Sequence, residues 1–231
     1  IDLAIISTTA DVRSLVISKI KSNSKVSKWL LEKILAQSIK DLNNLKSIFK
    51  DDNYVWVNTP MHIWPLYKLV RSSSKKNIPI NAKFSGFKGL ICNAIHYIDL
   101  INRWNDSKII SVDSKKLKKE WYKSKRKDFL ENDGEIKINY ADGSVLILSS
   151  YLNKLKFRAK IIIGDVEWNI DEKESKASNN FGEIINGSVL AQSEMTDSIV
   201  EAILNDKEIE LPKFPESYIQ HKYFLESLIS Q

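Results

Sequence analysis

Two short segments carry side chains suited to moving a proton. In Gly89-Leu-Ile-Cys92-Asn93-Ala-Ile-His96-Tyr-Ile-Asp99-Leu an imidazole sits among apolar neighbours at helical spacing; in Leu31-Glu32-Lys33 a lysine stands where a strand gives way to a loop. A histidine titrates near neutral pH and can accept a hydroxyl proton, while an ammonium steadies a developing alkoxide. Asn93 shares a helix face with His96, and Asp99, three residues on, either orients the imidazole or serves only local helix electrostatics. Taken alone, each residue also has a plain structural reading. Lys33 reads as a surface lysine after a strand, His96 as a satisfied core histidine, and Asn93 as an amide bonded either to a ligand hydroxyl or to backbone. Cys92 has no base placed to activate it and reads as a small core residue. His62 and His221 lack ligand spacing with His96, so no metal site is expected.

The elements that must position these groups are legible in the first third of the chain. Ile1-Asp-Leu-Ala-Ile-Ile6 is a β-branched apolar run that meets Ser7-Thr8-Thr9, the pattern of a buried parallel strand ending in a polar loop. Residues 11–21 predict a helix with Val12, Leu15, Val16, Lys19 and Ile20 as its apolar stripe. A second strand is expected over 26–31, with Glu32 and Lys33 in the loop at its carboxyl end. Ser38, with Asp41 three residues on, marks a helix start whose buried face is Ile39, Leu42, Leu45 and Ile48. A third strand over 54–57 closes at Asn58-Thr-Pro60. Ligands of such folds bind at the carboxyl ends of the strands, which makes Ser7, Thr8, Thr9 and Asn58 candidates for holding a dinucleotide.

Strand and helix alternation with short connections predicts an α/β layout with a parallel sheet. No Gly-x-Gly-x-x-Gly occurs in the sequence, and a dinucleotide fold carries that turn after its first strand. Residues 1–58 are therefore expected to form the C-terminal half of a doubly wound Rossmann domain. Its first half would lie outside this sequence, leaving the cofactor site incomplete and the chain as it stands inactive. Residues 59–231 are expected to form an α+β domain with a largely antiparallel open sheet, its last helix free to pack back on the Rossmann part. Helices are predicted over 62–70, 90–104, 193–204 and 215–229, and strands over 83–85, 136–140, 145–148, 156–163 and 166–170. Asp142-Gly143 marks a tight hairpin turn, and residues 171–187 read as a polar loop.

Composition bounds the function classes. The 231 residues are 43% hydrophobic and 28% charged, enough for one large or two modest cores. The formal net charge is +6, but the lysines are dispersed. The densest run, residues 115–127, is bounded by Glu120 and Asp128, which favours a solvated helix face or a mobile loop over a nucleic-acid patch. One cysteine excludes an internal disulfide. No apolar stretch reaches membrane-spanning length and no signal peptide opens the chain, so neither membrane nor nucleic acid is an expected partner and a cytoplasmic protein is expected.

In order and spacing these motifs resemble the glucose–fructose oxidoreductase/inositol dehydrogenase (Gfo/Idh/MocA) family. Ile5-Ile-Ser-Thr8-Thr is similar to that family's strand ending in a Thr-Pro turn, Trp29-Leu-Leu-Glu32-Lys33-Ile34 to its Glu-Lys-Pro motif, and His96-Tyr-Ile-Asp99 to its His-x-x-Asp helix. The segment 193–211 is similar to its closing segment. Asn58-Thr-Pro60 and residues 90–99 look closest to members encoded with surface-polysaccharide and sugar-biosynthesis genes. The resemblance implies an NAD- or NADP-dependent oxidoreductase that moves a hydride between nicotinamide and a sugar or nucleotide-sugar alcohol or ketone. Lys33 would hold and polarise the reacting oxygen, His96 would handle the proton, and Asn93 would bind a substrate hydroxyl. Glu32 and Lys33 would join Ser7, Thr8, Thr9 and Asn58 around the cofactor. The resemblance also implies a homodimer or homotetramer formed through the C-terminal sheet. Three departures stand out: Ile34 in place of proline, which leaves Lys33 less rigidly aimed; Cys92 where many members have aspartate; and His62 where the nearest have arginine. With the missing glycines, Ile34 and Cys92 leave open an alternative, a truncated or non-catalytic member acting in assembly without a cofactor.

Overall fold

The computed structural model describes residues 1–151 and 156–229. The chain forms two compact units, Ile1–Pro60 together with Leu190–Ile229, and Met61–Val189.

The first unit begins with strand β1 (Leu3–Ile6), helix α1 (Ala10–Asn23), strand β2 (Lys28–Glu32), helix α2 (Ile39–Ile48) and strand β3 (Val55–Asn58). The three strands pair in parallel in the order β1-β2-β3. Parallel pairing demands a crossover between successive strands, which α1 and α2 supply. It also buries the middle of the sheet: Trp29, Leu30 and Leu31 of β2 and all of β3 are buried. Ser38 starts α2 as its spacing predicts, its hydroxyl oxygen accepting from the Asp41 N–H at 3.0 Å and donating to the Asp41 carboxylate at 2.6 Å. Helix α1 departs from the predicted stripe. Its buried side chains are Ala10, Arg13, Ser14 and Ile17, whereas Val12 and Leu15 are exposed. Two polar residues occupy the inner face because each finds a bond there; Ser14 Oγ accepts from the Asn44 side chain of α2 at 2.7 Å.

A 3-10 turn (Pro60–Ile63) begins at the last residue of the first unit's opening segment, and helix α3 (Pro65–Ser72) of the second unit follows, where the sequence predicts a single helix. Pro65 begins the helix proper, as a residue lacking an N–H does at no cost in a first turn. Strand β4 (Ile80–Ser85) and helix α4 (Leu90–Asn105) follow. Then come strands β5 (Ile109–Leu117), β6 (Tyr122–Lys123), β7 (Leu130–Glu131), β8 (Gly134–Tyr140), β9 (Val145–Ser150), β10 (Arg158–Ile163), β11 (Val166–Asp171), β12 (Lys176–Asn179) and β13 (Ile184–Asn186). Eight of these strands form one sheet in the order β13-β12-β11-β10-β4-β9-β8-β5, antiparallel except at β4-β9. The predicted Asp142-Gly143 turn joins β8 to β9, with Gly143 at φ +89°.

Two sequence readings are corrected here. The lysine-rich run is neither helix nor loop throughout, because β5 reaches Leu117 and pairs with β8. The polar stretch 171–187 contains β12 and β13, which continue the sheet edge. Both escape local pattern reading because pairing, not side-chain alternation, holds them. Along the interior strands burial alternates. Ile80, Ala82 and Phe84 of β4 are buried while Asn81 and Lys83 are exposed, so one face takes the helices and the other is open. On the open face Lys83 stands opposite Lys160, and Ile147 lies between Lys83 and Lys137. The covered face holds an aromatic ladder, with Tyr97 ring centroids 4.5 Å from Phe84 and 4.7 Å from Phe87.

The chain then returns to the first unit as helices α5 (Gln192–Leu204) and α6 (Phe214–Ile229). Phe214, Tyr218 and Leu225 of α6 join Trp29, Leu42, Leu45, Phe49, Val55 and Val57 in one core. Leu190–Ile229 thus clusters with Ile1–Pro60, whereas the sequence reading placed all of 59–231 together. Leu211–Lys213 lines the free edge of β3, Val57 N–H donating to the Pro212 carbonyl at 3.0 Å.

Two stability measurements follow. Ser38→Ala removes the acceptor at the start of α2 and should cost about 1 kcal/mol in urea unfolding; an unchanged midpoint would contradict the capping role. In the second unit the Tyr67 hydroxyl donates to Glu172 Oε1 at 2.6 Å. Burial pushes the Glu172 carboxyl above its usual value, a shift the Tyr67 bond opposes. Between the unfolded and the raised folded value the native state binds more protons, so this group's contribution to stability falls as pH rises. Glu172→Gln should therefore raise Tm at pH 7, with the gain shrinking towards pH 4. An equal gain at both pH values would refute the ionisation account.

Candidate active site

The parallel sheet of the first unit carries its polar residues to one end. Ile6 is in register with Leu31, and Glu32 with Asn58, so the residues just past β1, β2 and β3 share the sheet's carboxyl edge. Ser7 is exposed there, Thr8 and Thr9 are half-buried, and Thr9 begins α1 without a side-chain cap. Glu32 ends β2, and Lys33 is half-buried in the bend that follows. Asn58 is 6% exposed and Thr59 fully buried. Thus Thr8, Glu32, Lys33 and Asn58 are brought to one place, as their positions after strands imply.

Hydrogen bonds fix this edge. The buried Arg13 guanidinium donates through Nη1 to the Ile34 carbonyl and through Nη2 to the Thr8 carbonyl. One side chain therefore ties the loop after β1 to the loop after β2, and a buried cation gains the acceptors it needs. The Lys33–Ile34 peptide is cis. The Ile34 carbonyl is held by Arg13. Glu32 Oε1 accepts twice, from Asn58 Nδ2 at 2.7 Å and from Gln192 Nε2 at the start of α5. Asn58 Oδ1 and Thr8 Oγ1 are buried atoms with no hydrogen-bond partner among the described residues.

In the second unit the relevant element is α4. Gly89 precedes it at φ +73°, a left-handed conformation suited to glycine, and offers no side-chain cap. Glu131 of β7 supplies the missing acceptors, taking the Ile91 and Cys92 N–H groups at 2.9 Å each. The carboxylate also meets the positive end of the helix. Cys92 is exposed rather than a core residue, because the packed face of α4 passes through Leu90, Ile91, Ala94, Ile95 and Ile98 instead. Asn93 spends one donor on the Lys88 carbonyl at 2.8 Å. His96 is half-buried, one turn beyond Cys92. Asp99 is fully buried with His62 Nδ1 3.1 Å from its carboxylate, a partnership that links α4 to the preceding 3-10 turn. The Tyr122 phenol, 3.3 Å from Asp133, is pushed up to about 12 by burial and by the charges of Asp133 and Glu131. His221 is buried in α6 with Nδ1 2.7 Å from the Ser217 carbonyl, a bond within the helix. Among the described residues no three His, Cys, Asp or Glu side chains are grouped to hold a metal, and no helix is long and apolar enough to cross a membrane.

No family model and no curated protein sequence matches the chain. Solved structures do match it. UDP-N-acetylglucosamine 3-dehydrogenase GnnA from Acidithiobacillus ferrooxidans superposes with a TM-score of 0.74 at 12% identity, over 100% of this chain and 78% of that one. The dehydrogenase MviM from Clostridium difficile gives 0.69 at 13%, over 99% and 78%. An oxidoreductase from Thermotoga maritima gives 0.72 at 10%, over 99% and 76%. The chain therefore shares the fold of these solved oxidoreductases.

Within that fold, three residues that hold the candidate site's elements in place are not evident from sequence motifs. Arg13 is detectable in principle, since Ala10, Arg13, Ser14 and Ile17 share a helix face, but a charged residue there reads as solvent-facing. Gln192 lies 160 residues from Glu32 along the chain, and Glu131 lies 40 from Ile91. No local pattern announces either.

Proposed function

We propose that this protein is an NAD(P)-dependent oxidoreductase acting on an alcohol or ketone of a sugar or sugar derivative, with nucleotide-linked sugars of surface-polysaccharide synthesis as the leading class. The observation that carries the reading is the polar edge after β1–β3, where Thr8 and Asn58 hold buried oxygens open for a ligand beside Glu32 and Lys33. That edge fits a cofactor, because a buried acceptor without a partner costs roughly 1–3 kcal/mol unless a ligand satisfies it. Ser7, Thr8, Thr9, Glu32, Lys33 and Asn58 are the residues that would hold the cofactor, which supplies a hydride donor or acceptor when bound. The fold supports the oxidoreductase class, and the GnnA likeness supports the sugar class.

In this reading Lys33 donates a hydrogen bond from its ammonium to the reacting substrate oxygen and stabilises the negative charge that develops there. His96 takes the hydroxyl proton on an imidazole nitrogen during oxidation and returns it during reduction. Asn93, whose side chain donates to the Lys88 carbonyl at 2.8 Å, binds a substrate hydroxyl through its amide. Self-association through the open sheet face belongs to the same proposal.

The test is fluorescence titration of the full-length protein with NADH and NADPH, followed by its turnover on a panel of sugars and nucleotide sugars. Lys33→Ala should lower kcat about 10²–10³-fold with an unchanged circular dichroism spectrum. His96→Ala should lower it about 10²–10⁴-fold. Near-normal turnover in either variant would overturn the assigned role, and absence of dinucleotide binding would favour an assembly protein without cofactor.

A further inference from the structure

Asn58 presents a polarity that its neighbours dictate. Its Nδ2 lies 2.7 Å from Glu32 Oε1, and a carboxylate oxygen can only accept. Turning the amide over would set two oxygens against each other, so the carbonyl end must face away from Glu32. That end, Oδ1, is buried and has no partner among the described residues, on a side chain 94% removed from solvent by its 6% exposure. Glu32 is in turn held by Gln192 Nε2, which donates to the same Oε1. Gln192 thus acts from α5 on a carboxylate of β2, and through it on an amide of β3. Thr8 Oγ1, likewise buried and without a partner, can add a second acceptor.

We propose that Gln192, through Glu32, orients Asn58 so that its carbonyl oxygen accepts an N–H from a primary carboxamide, the substituent of a nicotinamide ring. This rests on the cofactor reading given above. A site furnished with acceptors selects a group with two N–H donors over a hydroxyl, which has only one. Gln192 is therefore a positioning residue for cofactor recognition, and Asn58 the residue that touches the ring substituent.

The experiment titrates the full-length protein, by calorimetry or fluorescence, with NADH and with its reduced 3-acetylpyridine analogue, in which a methyl group replaces the amide nitrogen. The wild-type protein should bind NADH about tenfold more tightly, the worth of one buried hydrogen bond. Asn58→Leu should bring that ratio to about one. Gln192→Met, which keeps the length and removes the donor, should bring it to about threefold. Equal wild-type affinities would overturn the inference and leave the cofactor reading standing; no binding of either dinucleotide would overturn both. If Gln192→Met weakens both ligands alike, Gln192 is only structural and its positioning role fails. Should Asn58→Leu not fold, the wild-type ratio and Gln192→Met still decide.

Discussion

A guanidinium with almost no access to water needs acceptors, and Arg13 finds them in the carbonyls of Thr8 and Ile34. Those carbonyls lie just beyond two neighbouring parallel strands, so satisfying one cation fixes both loops of the candidate site. The cost of leaving such a charge unpaired is several kcal/mol, more than any single surface contact returns. The loop bearing Lys33 is therefore set by a helix on its inner side. The restraint on Ile34 comes from a side chain 21 residues upstream.

The parallel sheet sets the next level. All three strands run the same way, so their carboxyl ends coincide and three unrelated tripeptides, Ser7-Thr8-Thr9, Glu32-Lys33-Ile34 and Asn58-Thr59-Pro60, become neighbours. Helix α6 makes this arrangement possible from the far end of the chain by delivering Phe214 and Tyr218 to the core beneath the sheet. In the second unit Glu131 does for α4 what Gly89 cannot, satisfying two amide groups at the start of the helix that displays Asn93 and His96.

The legible parts of the molecule were those written in local pattern. The β-branched runs announced β1 and β3, Ser38 and Asp41 announced the start of α2, and Asp142-Gly143 announced the β8–β9 turn. The candidate residues Thr8, Glu32, Lys33 and Asn58 were visible because a position after a parallel strand is itself a local feature. The inner face of α1 was misread since a buried arginine and serine look like solvent-facing residues until their partners are known. Strands β5, β12 and β13 carry polar or irregular sequences, and the ladder to a neighbouring strand, not hydrophobic alternation, defines them. Gln192 and Glu131 act across long stretches of chain on groups that only the folded arrangement brings near.

The strap at Leu211–Lys213 has a consequence for how the small sheet can grow. Pro212 occupies the outer rim of β3 and takes the Val57 amide, and a proline offers no N–H to a further neighbour. Extension by another strand is blocked on that flank. Recruitment of additional β structure, from the same polypeptide or another, is thereby confined to the β1 flank, where Ile5 already shows an apolar side chain to solvent.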